Sequence, residues 1–473
     1  MSEFFYHPPN AGVGDVIPFY ADGEFQLYYL HLWRQNHGAG QVPGWYSLRT
    51  RDFVQYTECG PCYIEGGTGC VPRVDGLYHL FYCIFPPGRQ LICHAISRDS
   101  LTWETIAADT FGPDETIYDP RDWRDPFVFW NEEADEYWML LSGSIKGPTN
   151  RRGCVALCAS RDLQHWEGRP PLYAPAIHIS AHECPDLFRI NDWWYLVYSA
   201  YTDRFATYYR MSRSSAGPWL SPPEDTFDGR AFYAAKSCSD GRRRYLFGWN
   251  PTKSENLFGW NPPAYAGLDY NTWDWGGSLV VHEIRQREDG TLAVQVPETV
   301  DQAFSQSLPL SFAARLGAWE IRDDHLSVAA PASFACALAQ ELTGQCKLSL
   351  SITFQETTRA CGIMLRSNED LDQAYYIRLE PNRDRIVFRS AIMYSEQGGK
   401  TFPYEVELER PLRLLPNKPY RIRIFVDDTV CEVYVEDEIA MSARLYDLRA
   451  GAWGVFVSEG SATFDQVCVA TRP

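Results

Sequence analysis

The chain has 473 residues, 45% of them hydrophobic and 22% charged, with a formal net charge of -18 at pH 7. This length predicts two or three globular domains. Proteins bind nucleic acid and anionic lipid mainly through lysine and arginine, so a chain this acidic is not expected to bind either. A neutral sugar is compatible with this charge, and the 15% of aromatic residues offer flat surfaces on which sugar rings stack.

The first segment, Met1 to Trp33, contains no lysine or arginine and no long apolar run. Neither a signal peptide nor a membrane span is therefore expected there. The 14 cysteines are scattered along the chain without the regular spacing of a small disulfide-rich domain. Together these features predict a cytoplasmic protein with reduced thiols.

Up to about residue 295 one unit recurs five times, an acidic or glycine-bearing turn followed by an aromatic-rich apolar strand. The copies align on five apolar anchor residues: Leu27, Leu80, Met139, Leu196 and Leu246. After the first four copies comes a second element with a Ser/Thr-Arg pair, as in Ser97-Arg98-Asp99 and Ser160-Arg161-Asp162. Helical periodicity is nearly absent. Five β units of roughly 50 residues predict a five-bladed β-propeller, with a meandering β-sandwich as the alternative.

The pattern changes between Pro297 and Leu310, where Gln, Ser and Pro are frequent. Beyond it, apolar and polar residues alternate strictly in three segments: Lys347–Ile352, Tyr420–Ile424 and Cys431–Val435. Alternation with a period of two, with turn signals between the segments, predicts a two-sheet sandwich. The chain is thus expected to be all-β, with a propeller over residues 1–295, a linker over 296–312 and a β-sandwich over 313–473.

Three carboxylates share one place in the repeat. The strand before each anchor strand is expected to be innermost, and Asp15, Asp125 and Glu183 lie 12 to 14 residues before their anchors. Thr68 and Tyr233 fall in the corresponding places of the other two units. Burying a carboxylate costs free energy unless the group is paired or functional, so three carboxylates around one axis predict a functional site. In such a site the like charges raise the pKa of one another.

Glycoside hydrolysis needs two carboxyl groups, one to protonate the leaving oxygen and one to attack or to activate water. A third can hydrogen-bond the sugar hydroxyls. The alternative is structural: each carboxylate caps a turn or pairs with an arginine, as Asp125 could with Arg124. The shared place of all three favours hydrolysis of a sugar.

The segments Trp123–Phe129 and Glu183–Phe188 resemble the Arg-Asp-Pro and Glu-Cys signatures of glycoside hydrolase family 32, the invertase, inulinase and levanase group. Further matches are Tyr233–Ser237, Phe247–Trp249 and Phe425–Val435, so the resemblance covers nearly the whole chain. It implies a propeller followed by a sandwich. It also implies retaining hydrolysis, or transfer, of β-fructofuranosides such as sucrose, fructo-oligosaccharides or fructans.

By this resemblance Asp15 is the nucleophile, Glu183 the general acid/base, and Asp125 the group that binds fructose hydroxyls in the transition state. Arg124 lies beside Asp125 in the signature. The expected partner is a small-molecule or oligosaccharide substrate, and neither a metal nor an organic cofactor is implied. The candidate substrate-binding residues are Arg124, Thr68, His182, Tyr233 and Trp249.

The block around the nucleophile departs from the family pattern Trp-Met-Asn-Asp-Pro-Asn-Gly. Gly12, Val13 and Gly14 stand where the family has Trp, Met and Asn, and Leu30 stands where it usually has Gln. Because these positions contact sugar in the family, the natural substrate does not follow from the resemblance.

Other signals have simpler interpretations. Cys59-Gly60-Pro61-Cys62 matches a thioredoxin-like motif, but that chemistry needs a helix N-terminus, so an ordinary turn is predicted. His178 and His182 have no helix on which to face one metal ion, so His182 is expected to line the pocket and His178 to lie at the surface. Six tryptophans are candidates for stacking on sugar, with Trp249, Trp273 and Trp275 the strongest: Trp33, Trp45, Trp249, Trp260, Trp273 and Trp275.

Two alternatives stay open. The segment Asp15–Gly23 is close to the opening strand of glycoside hydrolase family 43, which would make the protein an inverting enzyme for arabinosides or xylosides. The other alternative is a non-catalytic sugar-binding protein that retains the propeller.

Overall fold

The computed structural model describes residues 4–9, 11–31, 44–180, 182–253, 269, 273–342, 344–391, 394–396, 399–401 and 407–473. The chain divides into two compact units. The first consists mainly of Tyr6–Pro251 and Trp275–Ala293, and the second of Glu3–Phe5, Thr252–Asp274 and Val294–Pro473. Among the described residues, no helix has the length and apolar character needed to cross a membrane.

The first unit is a five-bladed propeller of antiparallel strands, as the repeat predicts. Blades one and two contain β1 (Val13–Ala21), β2 (Glu24–His31), β3 (Gly44–Thr50), β4 (Thr57–Pro61), β5 (Gly69–Cys70), β6 (Arg73–Val74), β7 (Leu77–Ile84), β8 (Leu91–Ser97) and β9 (Glu104–Thr105), followed by the 3₁₀-helix Ala107–Asp109. Blades three to five contain β10 (Tyr118–Asn131), β11 (Glu136–Ile145), β12 (Gly153–Ser160), β13 (Glu167–Tyr173), β14 (Glu183–Ile190), β15 (Trp193–Ala200), β16 (Ala206–Ser212), β17 (Tyr233–Ser239), β18 (Arg244–Pro251), β19 (Gly277–Gln286) and β20 (Leu292–Gln295). Val13 of β1 pairs with Gly277 of β19, so the first and last blades are joined.

The repeat has a physical basis in both of its elements. The five anchor residues lie on equivalent long strands, one in each blade, where each is at most 1% exposed. The second element forms a side-chain-capped turn: the Ser97 hydroxyl accepts from the amides of Asp99 and Ser100, and the Asp99 carboxylate accepts from the next two amides. Ser160 and Asp162 form the same turn. Such local hydrogen bonds explain why these residue types recur between strands.

The second unit is the β-sandwich. Its elements are α1 (Glu298–Ala303), β21 (Gln306–Ser307), β22 (Ala313–Leu316), β23 (Trp319–Arg322), β24 (His325–Glu341), β25 (Gln345–Phe354), β26 (Ala360–Ser367), β27 (Ala374–Glu380), the 3₁₀-helix Pro381–Arg383, β28 (Arg385–Ala391), β29 (Tyr394–Glu396), β30 (Gly399–Thr401), β31 (Glu407–Pro411), β32 (Tyr420–Asp427), β33 (Val430–Val435), β34 (Ile439–Arg444) and β35 (Ala452–Thr471). The 20-residue β35 pairs with β21, β24, β25 and β26 and is the strand around which this sheet is built. Every second residue of β25 is buried, which matches the alternation in its sequence.

Two details differ from the division that the sequence suggests. The second unit includes Thr252–Asp274, which the repeat assigned to the propeller. The segment expected to be a linker contains helix α1 and strand β21. A change of composition along the chain locates the boundary between two domains only approximately, because composition does not show against which domain a segment packs.

Candidate active site

A β-bulge at one register shapes the first strand in four of the five blades. In each of these strands one residue pairs with the neighbouring strand, the register then shifts, and regular pairing resumes three residues later. The last paired residues before the shift are Gly14, Arg124, Glu183 and Tyr233. A bulge bends the strand and redirects side chains, and bulges are frequent beside active sites. The four bulges therefore give the blades one common means of directing polar side chains to the same place.

The register corrects the sequence alignment of the three carboxylates. Asp15 and Asp125 are the first residues of their bulges, and Cys184, not Glu183, is the equivalent residue in blade four. These three residues and Ala234 all have positive φ angles, between 41° and 56°. Glu183 lies one position earlier, in the place of Arg124. The count from the anchor hides this difference because the turn between the two strands is two residues longer in blade three than in blades one and four. The counts of 12 for Asp15 and 14 for Asp125 therefore bracket the 13 of Glu183.

Two donors from neighbouring blades hold the carboxylate of Glu183. Arg124 Nη2 donates to Glu183 Oε1 at 2.8 Å, and the Tyr233 hydroxyl donates to Oε2 at 2.7 Å. Burial, and then the charge of Glu183, raises the pKa of Tyr233 well above its ordinary value, so the phenol stays protonated and donates. The side chain of Glu183 remains 20% exposed, which leaves it accessible to a substrate.

Asp125 is more deeply buried, at 4% exposure. Its Oδ2 accepts from the Cys184 amide at 3.0 Å and lies 3.9 Å from Arg124 Nε. Burial raises the pKa of Asp125, and the charge of Glu183 raises it further, whereas Arg124, the Cys184 amide and Lys236 lower it. The protonation state of Asp125 is thus set by a balance between desolvation and the charges around it.

Asp15 is held from two sides. Trp249 Nε1 lies 3.3 Å from Asp15 Oδ1 and donates to it, and the Thr68 hydroxyl donates to the Asp15 carbonyl at 3.4 Å. The Trp275 ring lies directly over Gly14, where a Cβ atom would be 2.1 Å from the ring. Since Trp249 is fully buried and Thr68 is 1% exposed, both residues position Asp15 and do not present open surfaces to a sugar.

The three carboxylates act on the same neighbours. Burial raises the pKa of the Cys184 thiol well above its usual value, and the charges of Asp125, Asp15 and Glu183 add to this. The pKa of Tyr233 is raised by Glu183 and Asp15 together. Direct contacts connect them as well. Arg124 lies against both Asp125 and Glu183, and Trp249, which donates to Asp15, has its ring 5.5 Å from that of Tyr233, which donates to Glu183. The three carboxylates therefore lie around one position in the propeller.

Four of the five candidate substrate-binding residues, Arg124, Thr68, Tyr233 and Trp249, contact these carboxylates directly or through their backbone. His182 does not. It is 0% exposed, and its ring packs against Tyr198 and His178 at centroid distances of 4.5 and 4.9 Å. The expectation that His178 lies at the surface is wrong, since it is 4% exposed. His182 has no exposed surface and no contact with the carboxylates, and its role in substrate binding stays a prediction. Residues before a strand can point to either side, and the sequence does not show which.

Among the tryptophans, Trp45 is buried in the core between blades one and two. Trp273 belongs to the second unit, where Lys253 Nζ lies 3.9 Å from its ring centroid. Trp275 is only partly buried and packs on the cluster of Tyr233 and Trp249. Trp33 and Trp260 lie outside the described residues.

The Cys59–Cys62 motif has none of the features of a redox site. Cys59 and Cys62 bracket the end of strand β4, and both are free thiols. Burial raises the pKa of Cys62 to about 11, whereas a redox-active thiol needs a lowered pKa. All fourteen cysteines of the chain are unpaired.

Sequence reasoning missed two residues beside this site. Asp122 accepts hydrogen bonds from Arg124 Nη1 and from the Ser144 hydroxyl. Lys236 is 2% exposed and influences Asp125 electrostatically. Both lie within three residues of a candidate site residue, but their roles depend on contacts with another strand: Asp122 with Ser144 of the same blade, and Lys236 with Gly69 of blade two.

Comparison with known proteins supports the same assignment along most of the chain. Residues 16–261 match the model of the glycosyl hydrolases family 32 N-terminal domain, and residues 324–471 match that of the family 32 C-terminal region. The chain is 24% identical to sucrose-6-phosphate hydrolase of Escherichia coli over 394 residues, which cover 76% of this chain and 67% of that protein. It is 24% identical to raffinose invertase of Escherichia coli over 488 residues, covering 94% and 89%. The solved structure of sucrose-6-phosphate hydrolase from Lactobacillus gasseri superimposes with a TM-score of 0.73 at 16% identity, covering 100% and 93%.

Proposed function

Because the chain belongs to glycosyl hydrolase family 32, we propose that it cleaves β-fructofuranosides, such as sucrose, fructo-oligosaccharides or fructans, with retention of configuration. The observation that carries this proposal is the arrangement around Glu183. Its two oxygens are held by Arg124 and Tyr233, while Asp125 lies on the adjacent blade three and Asp15 on blade one. Matches of family 32 models to both parts of the chain leave the family 43 alternative without support.

In the proposed mechanism Asp15 attacks the anomeric carbon of the fructosyl group while Glu183 protonates the leaving oxygen. The covalent fructosyl-enzyme is then hydrolysed by a water from which Glu183 takes a proton. If a sugar hydroxyl replaces that water, the same residues transfer fructose instead. Asp125 hydrogen-bonds fructose hydroxyls, and Trp249 holds Asp15 in the attacking orientation through Nε1.

The buried donors around the site suit this division of roles. Tyr233 and Arg124 donate to the two oxygens of Glu183 and hold its carboxylate in one orientation. Such preorganisation matters because a catalytic group misplaced by about 1 Å can cost about 10²-fold in rate. We also propose a cytoplasmic location, which the free thiols support.

The test is to incubate the purified protein with sucrose, sucrose 6-phosphate, inulin, levan and an aryl arabinofuranoside, and to separate the products by chromatography. Fructose release is expected, and NMR of the first product formed should show the retained β configuration. Asp15→Asn and Glu183→Gln should each lower kcat/KM by 10²-fold or more, since acid–base catalysis alone contributes about 10²–10⁴-fold. Glu167→Gln, at an exposed position, is the matched control and should keep full activity.

Other outcomes would point elsewhere. An inverted product from the arabinoside would favour the family 43 mechanism. Binding of sucrose or fructan without any turnover would favour the sugar-binding protein. Cleavage of sucrose 6-phosphate but not sucrose would keep the reaction and restrict the substrate to the phosphorylated sugar.

A further inference from the structure

The turn between strands β15 and β16 of blade four carries two aromatic residues close to Glu183. Glu183 is the first residue of β14 and pairs with Ser199 of β15, and β15 ends one residue further on. The segment that follows, residues 201–205, begins with Tyr201 and ends with Phe205, and we call it the aromatic turn. The register therefore places the aromatic turn at the same end of blade four as Glu183.

Phe205 lies against the residues that hold the acid/base and the nucleophile. Its ring stacks on that of Tyr233, with the centroids 4.1 Å apart and the planes inclined by 17°, and Tyr233 donates to Glu183 Oε2 at 2.7 Å. The ring of Trp249, which donates to Asp15, lies 6.2 Å from that of Phe205. Tyr233 and Trp249 are 4% and 0% exposed, whereas Phe205 is only partly buried. Of these three rings, Phe205 is the one with surface left for a ligand.

Phe205 is held in an unfavourable backbone conformation. Its φ angle is 53°, in the left-handed region that bulky residues rarely adopt. Such a conformation costs free energy and persists only where the surroundings hold the residue in place, which is frequent at ligand-binding sites. For Phe205 the stack on Tyr233 is the contact that holds the ring. The aromatic turn thus keeps a ring beside the acid/base at an energetic cost, which favours a role in binding over a role in folding.

Tyr201, at the other end of the aromatic turn, is 46% exposed. Its hydroxyl is hydrogen-bonded to that of Ser180 at 2.7 Å, and Ser180 lies three residues before Glu183. Ile179, which precedes Ser180, is 54% exposed. A ring with a hydroxyl at its edge suits a sugar, because the C–H face of the sugar packs on the ring while its hydroxyls bond at the edge. The aromatic turn and the segment before Glu183 form a surface of this kind.

The roles of the two catalytic carboxylates decide which part of a substrate meets this surface. Glu183 protonates the oxygen of the leaving group, whereas Asp15, on blade one, attacks the anomeric carbon of the fructosyl group. The leaving group therefore lies on the side of Glu183, which is the side of the aromatic turn.

We propose that Phe205 and Tyr201 form the subsite for the leaving group, and that this leaving group is itself a sugar ring. The glucosyl or fructosyl unit that is released packs its C–H face on the ring of Phe205, and Tyr201 borders it. The proposal rests on the proposed function and narrows its substrate class to fructosides of sugars, as distinct from fructosides of simple alcohols. Phe205 and Tyr201 contribute to binding and take no part in proton transfer.

Two substrates that differ only in the leaving group test the subsite. One is the disaccharide that the protein cleaves, sucrose or sucrose 6-phosphate, and the other is methyl β-D-fructofuranoside, which releases methanol, a group too small to pack on a ring. Phe205→Leu keeps an apolar side chain without the ring, so the ratio of kcat/KM on the disaccharide to kcat/KM on the methyl fructoside should fall about 3- to 10-fold. The fall should lie mainly in KM, since the contact is present before and during the reaction. Phe205→Tyr retains a ring and should keep the ratio of the wild type.

Tyr201 provides an independent variant, because its exposed side chain can be replaced without loss of the core. Tyr201→Ala should lower the same ratio, and Tyr201→Phe, which keeps the ring but loses the bond to Ser180, should lower it less. Trp130→Ala is the matched control, since Trp130 is a 45% exposed aromatic residue on β10, six residues beyond Arg124, and it should leave the ratio unchanged. An equal loss on both substrates in Phe205→Leu, or an unchanged ratio in either Phe205→Leu or Tyr201→Ala, would overturn the proposal.

A binding measurement without turnover separates this inference from the proposed function. In saturation-transfer difference NMR of the disaccharide with Glu183→Gln, the glucosyl protons should receive saturation from the protein. This signal should weaken when Phe205→Leu is added, while the fructosyl signal remains. If the wild type cleaves no fructoside, the proposed function fails, and the same measurement with sucrose still decides the subsite. Saturated fructosyl protons beside unsaturated glucosyl protons would refute the subsite alone.

Discussion

Replacement of Gly14 by alanine tests how the nucleophile is held. A Cβ at Gly14 would lie 2.1, 2.4 and 2.8 Å from three ring atoms of Trp275, all well inside ordinary van der Waals contact. The backbone of Gly14 does not have a positive φ, so alanine adds no conformational strain and the clash is the whole perturbation. The indole of Trp275 would have to move by more than about 1 Å, and the close packing of protein interiors resists such a movement.

The size of the effect follows from the neighbours of Trp275. Overpacking of this kind costs about 1–3 kcal/mol in the free energy of unfolding, or about 2 °C in Tm for each kcal/mol in a unit the size of this propeller. The Trp275 ring lies 6.0 Å from that of Trp249, which donates to Asp15. A displaced pair of rings would shift the nucleophile, and a displacement of about 1 Å costs about 10²-fold in kcat/KM.

The assay compares kcat/KM on the best fructoside with Tm from thermal unfolding. Gly344→Ala is the matched control, because its added Cβ meets no atom within 4 Å, and it should change neither quantity. Trp275→Ala added to Gly14→Ala removes the clash and should recover activity relative to Gly14→Ala alone. Wild-type activity in Gly14→Ala, or no recovery in the double variant, would refute the steric reasoning.

Three further predictions follow from single interactions. Tyr233→Phe removes one donor from the Glu183 carboxylate and should lower kcat/KM about 10- to 100-fold with little change in Tm, since a hydrogen bond to a charged group contributes about 1.5–3 kcal/mol. Burial lowers the pKa of His79 to about 4, below the value of about 6.5 in the unfolded chain, so its contribution to stability is complete above pH 6.5 and is lost as pH falls toward 4. His79→Gln should therefore flatten the fall of Tm between pH 7 and 4.5. Burial and the charge of Asp269 raise the pKa of Asp447 to about 7, above its unfolded value, so this group lowers stability as pH rises from about 4 to 7, and Asp447→Asn should raise Tm at pH 8.

Each of these predictions has its own control. Circular dichroism should show an unchanged fold for Tyr233→Phe, and wild-type kcat/KM in that variant would mean that the phenol does not support Glu183. Gln55→Ala, at an exposed position without an ionisable group, should leave the pH dependence of Tm unchanged. An equally steep fall of Tm in His79→Gln would contradict the linkage. For Asp447→Asn, the gain at pH 8 should disappear at pH 4, where the wild-type carboxyl is already protonated; a loss of Tm at pH 8 would show that the charge stabilises the sandwich.

The sequence by itself determined the fold class and the region of the site. The apolar anchors recur because every blade must bury the same central strand, and the alternation in β25 records burial of one face. Both signals are local, so they are readable from a single chain. They were sufficient to predict a propeller followed by a sandwich, and to select Asp15, Asp125 and Glu183, whose catalytic roles remain proposals.

Only the tertiary structure decided which atoms meet. The bulges place Glu183 one position away from the register of Asp15 and Asp125, and the donors to Glu183 come from Arg124 and Tyr233, each at least 50 residues away in sequence. His182, beside Glu183 in sequence, points into a buried aromatic cluster instead. The periodicity of apolar residues in a sequence shows which face of a strand is buried. The direction in which a single polar side chain points, and the charged groups that lie next to it, depend instead on packing between segments that are distant in sequence.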